Sequence, residues 1–424
     1  MRSSYYILGP ILWALCWLPS LHSQDSWERL RPIDTIYQEK VKTVYFSRTG
    51  NQTYYPIFYL NKLIETQLHF DLLEGSPRQL YYTFLHYNKA WTQEELEFSE
   101  YLDGFQERDI HYFKTSEHTL IPYTHYRIDL DINELHFKVS GNYLLVVYDR
   151  ENKLQLSRRI YVTANDPQVK VNFISPIQAS YVRSHHCMEI SIIPNTIQIQ
   201  NPNLEIQTVV MQNGNSQDKI ELNTPNFSTA NLIKYNKSDE ILFPAKKEFR
   251  HKDIRSILYR TQDIDYWDER DGNYHGWLEL DELRTYKPYF TDLDINGQFV
   301  IENKDVPDDD IRSEYIRAHF TLKASSPFDK DVYVIGSLSD WDLKSEYQME
   351  YDPSRQAYFG DFLLKNGYYN FMYALEGIGG KAETSELEGD WYETENDYLI
   401  LIYYRPFGGR YDQLIFAGIF NSNI

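Results

Sequence analysis

The sequence DVYVIGSLSDW at residues 331–341, followed by LLKNGYYNFMY at residues 363–373, decides the fold class. In the first segment, the run Val332–Ile335 is β-branched and aromatic, and it leads through a glycine turn to Trp341. In the second segment, a glycine precedes the aromatic-rich run Tyr368–Ala374. Short runs of this composition, bounded by glycine, are typical of β-strands. Both segments therefore predict strands that are joined by turns.

Composition extends this prediction to the whole chain of 424 residues. Tyrosine occurs 37 times and phenylalanine 22 times, whereas alanine occurs only 12 times. Alanine is the best helix former, and aromatic residues favour pleated, half-buried surfaces. The chain also carries 62 acidic and 42 basic side chains, which gives a formal net charge of −20. Because nucleic-acid recognition needs a basic surface, we expect an acidic all-β protein with no nucleic-acid partner.

We predict three immunoglobulin-like β-sandwich domains in series after a cleaved signal peptide. Short strands separated by turn signals at regular intervals are typical of such sandwiches. The turn-forming segment Asn165–Pro167 and the acidic segment Asn303–Ser313 are the candidate linkers. A short helix is expected at Trp91–Tyr101. The predicted units are a signal peptide (residues 1–23), an N-terminal sandwich (24–163), a middle sandwich (164–304) and a C-terminal sandwich (305–424).

The first 23 residues have the three-part form of a secretory signal peptide. Arg2 provides a positive charge, Ile7–Leu18 is apolar, and Ser23 is a small residue at the predicted cleavage point. The apolar run is too short to cross a bilayer, which takes about 20 residues. We therefore expect an exported protein that does not span the membrane. Cleavage removes Cys16 and leaves Cys187 as the single thiol, so no intramolecular disulfide is expected.

Two segments carry metal-binding residue types, and for both a structural role is the better prediction. Residues 292–303 begin like a calcium-binding loop, but an asparagine stands where the bidentate glutamate is needed. Asn296 and Gly297 are instead a strong hairpin-turn signal. His185 and Cys187 could share one face of a strand, which gives two ligands where zinc needs three or four. The sequence therefore predicts no metal site and no cofactor.

Motifs of nucleophilic, metal-dependent and phosphate chemistry do not occur in the sequence. It contains no Gly-x-Ser-x-Gly elbow, no His-Glu-x-x-His motif and no phosphate-binding P-loop. The 62 acidic residues make chance carboxylate pairs unavoidable, and they are the only support for a periplasmic hydrolase. We therefore expect a protein without enzymatic activity.

The two segments quoted first resemble the early-set domains that bind starch and glycogen, which implies sandwiches of the early-set type. The tryptophan that matches Trp341 is mainly a core residue in that family, so it indicates fold rather than ligand. The sugar-stacking aromatic residues of the family lie in a later loop. In the corresponding stretch, Glu376–Asp397, this chain has only Trp391 and Tyr392. These two are the candidate glycan-binding residues, and a periplasmic glycan-binding protein is the alternative function.

Seven motifs along the mature chain carry a wider resemblance. They are SEYLDGF (99–105), PYTHY (122–126), SGNYL (140–144), EFRHKDIRS (248–256), DING (294–297), ETENDY (393–398) and YYRPFGGRYD (403–412). Together they resemble the plug protein family of the type IX secretion system, found in Bacteroidota. The resemblance implies a non-enzymatic periplasmic protein that binds and closes the periplasmic opening of the outer-membrane translocon barrel. It also implies that cargo or other secretion components displace the plug.

The last of these motifs contains the candidate partner-binding residues, which are Arg405, Phe407, Arg410 and Tyr411. Aromatic and arginine side chains often supply most of the binding energy of an interface. The alternative for the same residues is structural. Pro406 and two glycines form a tight loop, whose arginines would then clamp neighbouring backbone. The sequence leaves both interpretations open.

Overall fold

The computed structural model describes residues 27–60, 62, 65–130 and 135–423. These residues are mostly β-strand, and their helices are single turns of three or four residues. The predicted all-β class is therefore confirmed. The predicted signal peptide, residues 1–23, lies outside the described residues. Within the described part of the chain, no helix is long and apolar enough to cross a membrane.

Short helical turns connect some of the strands. The α-helical turns are α1 (Phe98–Tyr101), α2 (Pro202–Glu205), α3 (Asp309–Arg312) and α4 (Ser385–Glu388), and the 3₁₀ turns are Trp27–Arg29, Ser337–Ser339, Ser345–Tyr347 and Ile378–Gly380. The helix predicted at Trp91–Tyr101 is wrong in extent, because only its last four residues, α1, are helical. Trp91 has a left-handed backbone, with φ at 58°, which no helix can contain. The Glu100 carboxylate accepts the Glu97 N–H at 2.9 Å and so begins the turn there.

The first sandwich is formed by two facing sheets. Its strands are β1 (Thr35–Ile36), β2 (Val41–Arg48), β3 (Ile57–Tyr59), β4 (Thr66–Leu72), β5 (Leu80–Tyr87), β6 (Arg108–Asp109), β7 (Tyr112–Thr115), β8 (Thr124–Leu130), β9 (Gly141–Asp149) and β10 (Leu154–Thr163). One sheet has the order β1-β10-β9-β5-β6, with β3 paired to β10, and the other has the order β2-β4-β8-β7. Apolar residues of both sheets, such as Phe70, Phe84 and Tyr143, form one core between them.

A second sandwich begins with the next seven strands. They are β11 (Gln168–Ile174), β12 (His185–Ile193), β13 (Ile206–Gln212), β14 (Lys219–Leu222), β15 (Phe227–Thr229), β16 (Leu232–Tyr235) and β17 (Leu242–Pro244). Five of them form a sheet of order β11-β12-β16-β15, with β17 also paired to β12. On β12, the buried His186 contacts the Tyr398 hydroxyl at 2.9 Å, and Cys187 is a buried free thiol. These strand residues therefore pack in the core, as the structural interpretation of the sequence expected.

A third unit follows, built on one long sheet that folds around its own core. Its strands are β18 (Arg250–Asp253), β19 (Ile264–Arg270), β20 (Asn273–Leu278), β21 (Asp281–Glu282), β22 (Phe299–Ile301), β23 (Tyr315–Lys323), β24 (Val332–Ile335), β25 (Gln348–Asp352), β26 (Ala357–Lys365), β27 (Gly367–Glu376) and β28 (Ala382–Glu383). The main order is β18-β27-β24-β25-β26-β23-β20-β19. Strand β21 also pairs with β23, and β22 and β28 also pair with β27. Phe320, Phe371 and Tyr373 lie in the enclosed core.

The chain then returns to the second sandwich and completes it. The last two strands are β29 (Asp397–Tyr404) and β30 (Gln413–Asn421). They form a sheet of order β14-β13-β29-β30, in which Thr208 of β13 pairs with Ile402 of β29. Residues of β12, β16 and β29 share one core. These pairings contradict the predicted boundary between residues 304 and 305, because the third unit is inserted into the second sandwich.

The predicted turn at Asn296 and Gly297 is present, but the predicted hairpin is wrong. Both residues have left-handed backbones, with φ at 52° and 77°. The strand that follows, β22, pairs with β27 and not with a strand before the turn. A Cβ on Gly297 would lie 2.3 Å from the Trp341 ring, so only glycine fits there. Trp341 is a core residue, as the sequence resemblance implied, and its ring meets Phe249 edge-on at 5.8 Å.

A buried ion pair joins the first sandwich to the third unit. The Asp71 carboxylate on β4 lies 2.7 Å from the Lys365 ammonium at the end of β26, and both side chains are 1% exposed. The same carboxylate accepts a hydrogen bond from the Tyr315 hydroxyl at 2.8 Å and lies 2.7 Å from His125 Nδ1. Burial raises the pKa of Asp71, but Lys365 and His125 outweigh it and hold that pKa below its ordinary value. The pair therefore stays ionised inside the molecule.

Replacing Lys365 with methionine should lower the free energy of unfolding by about 3–5 kcal/mol, because Asp71 would be left as an unpaired buried charge. Urea unfolding at pH 7 measures this difference. The matched control is Arg317→Met, which breaks the exposed pair with Asp361 (3.2 Å). The control should change stability by no more than about 1 kcal/mol. Equally small effects of the two substitutions would contradict the structural role of the buried pair.

Candidate partner-binding site

The predicted tight loop joins β29 to β30 at residues 405–412. The Gly409 N–H donates to the Pro406 carbonyl at 2.8 Å and closes the turn. Gly408 has φ at 78°, a left-handed conformation that glycine adopts without steric cost. Phe407 and Gly408 therefore form the tip of a loop whose shape is set by local turn chemistry.

Arg405 fixes the base of this loop to the first sandwich. Its guanidinium forms an ion pair with Glu94, which precedes α1, and Nε lies 2.7 Å from the Asp412 carboxylate. The Arg405 N–H also donates to the Glu205 carbonyl at 2.9 Å. The Arg405 side chain is therefore paired with two carboxylates of its own chain.

Arg410 and Tyr411 make a second contact with the first sandwich. Arg410 Nη1 lies 2.7 Å from the Glu100 carboxylate, and Nη2 donates to the Glu95 carbonyl at 2.7 Å. The Tyr411 ring meets the His86 ring edge-on at a centroid distance of 5.9 Å. Three of the four predicted residues are therefore brought together, and they hold the loop against the segment around α1. The interpretation in which the arginines clamp neighbouring backbone describes Arg410, whereas the Arg405 guanidinium pairs with side-chain carboxylates.

The carboxylate that receives Arg405 is itself buried. The Glu94 side chain is 5% exposed, and its Oε2 lies 3.3 Å from His86 Nδ1. Burial raises the pKa of Glu94 to about 7, although Arg405 acts in the opposite direction. Burial also lowers the pKa of His86 to about 4, so this imidazole is neutral at pH 7. The loop is therefore fixed by an acid that gains or loses its proton near neutral pH.

The side chain of Phe407, the fourth predicted residue, is fully exposed to solvent. Leu204, in α2, is also exposed, at 76%. Ile206 of β13 is the register partner of Tyr404 of β29, so α2 and the loop lie at the same end of the sheet. This end of the second sandwich therefore presents two apolar side chains on rigidly supported turns.

The candidate glycan residues lie elsewhere, between the second sandwich and the third unit. One face of the Trp391 ring stacks on Tyr289 at a centroid distance of 6.0 Å, and the Lys247 ammonium lies 5.5 Å from the same ring. The Tyr392 carbonyl accepts a hydrogen bond from His186 at 2.7 Å. Both aromatic residues are half-buried. Their rings are engaged by this chain, which leaves little free aromatic surface for a sugar.

Sequence reasoning missed an exposed apolar segment next to Trp391. Tyr286, Phe290 and Leu293 are each at least 80% exposed, while Tyr289 between them stacks on Trp391. Three large apolar side chains within eight residues could have been noticed in the sequence. Alternation alone does not say which of them face solvent, because the segment belongs to no strand.

Comparison with known proteins identifies the first sandwich. Residues 41–164 match the family model described as type 9 secretion system plug protein 1st domain. The match confirms the family that the sequence motifs resembled. No curated protein matches the chain.

A solved structure is similar to nearly the whole chain. It is the crystal structure of a hypothetical protein from Parabacteroides merdae at 2.30 Å resolution, with 28% sequence identity and a TM-score of 0.88. The similarity covers 93% of this chain and 100% of that chain. It supports a β-sandwich fold beyond the segment matched by the plug family. The early-set resemblance of the third unit stays a prediction.

The plug family match suggests a structural role in type 9 secretion and not an enzymatic one. The matched segment contains the carboxylates that receive the loop, Glu94 and Glu100, and the His86 ring. The loop itself, residues 405–412, lies outside the matched segment. The first sandwich therefore holds the loop in place, and the end of the second sandwich carries its exposed tip.

Stability should depend on pH through Glu94. Between about pH 4.5 and 7 the folded protein keeps a proton that the unfolded chain has lost, so the contribution of Glu94 to stability falls as pH rises through this range. The Glu94→Gln variant cannot titrate. The wild-type free energy of unfolding should therefore fall relative to that of Glu94→Gln by roughly 1–3 kcal/mol between pH 5 and 8.

Urea unfolding of both proteins at a series of pH values tests this expectation. Glu100→Gln is the matched control, because Glu100 receives the other arginine of the loop but is exposed, and its pKa is lowered by hydrogen bonds from Arg410 and the Glu97 N–H. Its curve should run parallel to that of the wild type over this pH range. Parallel curves for the wild type and Glu94→Gln would show that Glu94 does not titrate as described.

Proposed function

We propose that this chain is a non-enzymatic periplasmic plug that binds and closes the periplasmic opening of the type IX secretion translocon barrel in the outer membrane. The observation that carries the proposal is the match of residues 41–164 to the plug family. Catalytic motifs do not occur in the sequence, and this agrees with a binding role. Displacement of the plug by cargo or other secretion components would then open the pore.

The fold suits this role physically. A plug has to be rigid and water-soluble, and the first sandwich, the second sandwich and the third unit are joined by buried contacts. The ion pair of Asp71 with Lys365 is one such contact, and a shared apolar cluster between β3, β10, β13, β29 and β30 is another. The net charge of −20 keeps a protein of this size soluble.

Phe407 is our candidate anchor for the partner. A fully exposed aromatic side chain on an immobilised loop loses little conformational entropy on binding, because its backbone is already ordered. Arg405, Arg410 and Tyr411 order that backbone, so we assign them the role of positioning Phe407. The partner surface that fits it is an apolar pocket, since the charged groups of the loop are paired within the chain.

Glycan binding by Trp391 and Tyr392 is not supported to the same degree. Their rings contact Tyr289, Lys247 and His186, and the known proteins that match this chain do not point to sugar binding. We therefore retain the plug as the single proposed function.

Co-purification tests the proposal. A tagged full-length chain, extracted from membranes of the native cell in mild detergent, should retain the translocon barrel. The Phe407→Ser variant should weaken retention by roughly 30-fold, which is the effect of losing a 2 kcal/mol hot spot. The readout is the barrel recovered per tagged chain over a dilution series.

The matched control is Ile378→Ser, because Ile378 is also almost fully exposed but lies in the third unit. It should retain the barrel as well as the wild type does. Failure of the wild type to retain any barrel would contradict the proposed function. Normal retention by Phe407→Ser would leave the plug role intact and remove Phe407 as its anchor.

A further inference from the structure

Three metal-ligand side chains meet where the first sandwich contacts the third unit. His69 lies on β4, His125 on the neighbouring strand β8, and Asp310 in α3. One ligand atom from each side chain lies within 4.8 Å of the other two. Asp71 and His125 are direct register partners, and His69 is two residues from Asp71 on the same face. The two histidines therefore project from one sheet face towards α3.

The distances between these atoms match a zinc site. His69 Nδ1 lies 3.2 Å from His125 Nε2. The Asp310 Oδ1 atom lies 3.4 Å from His125 Nε2 and 3.9 Å from His69 Nδ1. A point equidistant from the three atoms is about 2.0 Å from each, which is the Zn–N and Zn–O bond length. An ion of this size therefore fits between the three atoms without movement of the backbone.

Each histidine is also oriented through its second ring nitrogen. His125 Nδ1 lies 2.7 Å from the Asp71 carboxylate, and His69 Nε2 lies 2.9 Å from the Ser47 hydroxyl. The His69 ring is further held by parallel stacking on Tyr45, at a centroid distance of 4.8 Å. A carboxylate or hydroxyl behind a metal-binding imidazole fixes its tautomer and leaves the facing nitrogen as a lone pair. Both facing nitrogens, His69 Nδ1 and His125 Nε2, point to the same position.

One carboxylate at this position is available to a cation. The Asp71 carboxylate is neutralised by Lys365 at 2.7 Å. The Asp310 carboxylate instead faces the two imidazoles, which are neutral when they act as ligands. The Asp310 side chain is 27% exposed, so solvent reaches one side of the cluster. Zinc with three protein ligands typically completes its tetrahedron with water on such a side.

We propose that His69, His125 and Asp310 bind one Zn²⁺ ion, with water as the fourth ligand. The ion ties α3 to two strands of the first sandwich, so it acts as a structural clamp between the first sandwich and the third unit. Imidazole and carboxylate ligands in this number suit Zn²⁺ better than Ca²⁺ or Mg²⁺, which prefer six or more oxygen ligands.

The alternative to a metal ion between His69, His125 and Asp310 is a proton. A doubly protonated His125 would donate to Asp71 through Nδ1 and to Asp310 through Nε2, and no metal would then be needed. The two occupants differ in a measurable way, because Zn²⁺ must displace that proton to bind. A site that holds only a proton would show no saturable one-to-one binding of zinc.

Calorimetric titration of the full chain with Zn²⁺ alone, after removal of metal with a chelator, tests the proposal. The wild type should bind one ion per chain. Asp310→Asn should weaken zinc binding at least about 100-fold. Loss of a residue that only supports a ligand already costs up to about 100-fold, and Asp310 is itself a ligand. The matched control is His319→Gln. His319 Nε2 lies 2.8 Å from His275 Nδ1, and within the part of the chain that the structure describes this histidine pair forms no three-ligand group. This variant should bind zinc as the wild type does.

Cobalt substitution gives a test that needs no variant. Co²⁺ added to the metal-free wild type should produce the intense visible absorption of a tetrahedral site, and Zn²⁺ should abolish it. Zinc should also raise the midpoint of thermal unfolding of the wild type but not of Asp310→Asn. The proposal is wrong if the wild type shows no saturable zinc binding, or if Asp310→Asn binds zinc as tightly as the wild type. Octahedral Co²⁺ spectra would equally overturn the assigned geometry.

Discussion

The attraction between Asp71 and Lys365 is the interaction on which the relative placement of the first sandwich and the third unit depends. Two opposite charges that are both removed from water are stable only while each remains close to the other. Tyr315 and His125 supply further hydrogen bonds to the same carboxylate. A displacement of the third unit by a few ångströms would separate these groups inside a medium of low polarity. The junction therefore behaves as a fixed joint and not as a hinge.

The same ion pair also fixes the position of α3 at this junction. The Lys365 ammonium also donates to the Asp310 carbonyl at 2.9 Å, which fixes α3 next to the two histidines. On the opposite part of the first sandwich, Arg405 and Arg410 bind the segment around α1. The first sandwich is therefore held by the third unit at one place and by the second sandwich at another. The first sandwich, held in this way, cannot rotate independently of the rest of the chain.

Sequence reasoning recovers what depends on local chemistry. Strand β24 has the bounds that its β-branched and aromatic run predicted, and Gly297 and Gly408 lie in turns that need a left-handed backbone. It fails where residues distant in the chain meet. The composition of β13 is that of a strand, but it does not show that the partner strand is β29. For the same reason, the loop motif identified Arg405 and Arg410 but not the carboxylates of Glu94 and Glu100 that bind them. The spacing of His69 and His125 in the sequence also gives no sign that the two side chains meet.

The insertion of the third unit into the second sandwich affects how the molecule is made. Thr208 of β13 is synthesised roughly 190 residues before its partner Ile402, so one edge of β13 has no native neighbour during that interval. An unpaired apolar edge can add strands from other chains, and long-range pairing is slow to form. The inserted unit, whose strands pair within residues 250–383, can fold before the sandwich that surrounds it. The unpaired edge of β13 therefore makes this interval of synthesis prone to aggregation.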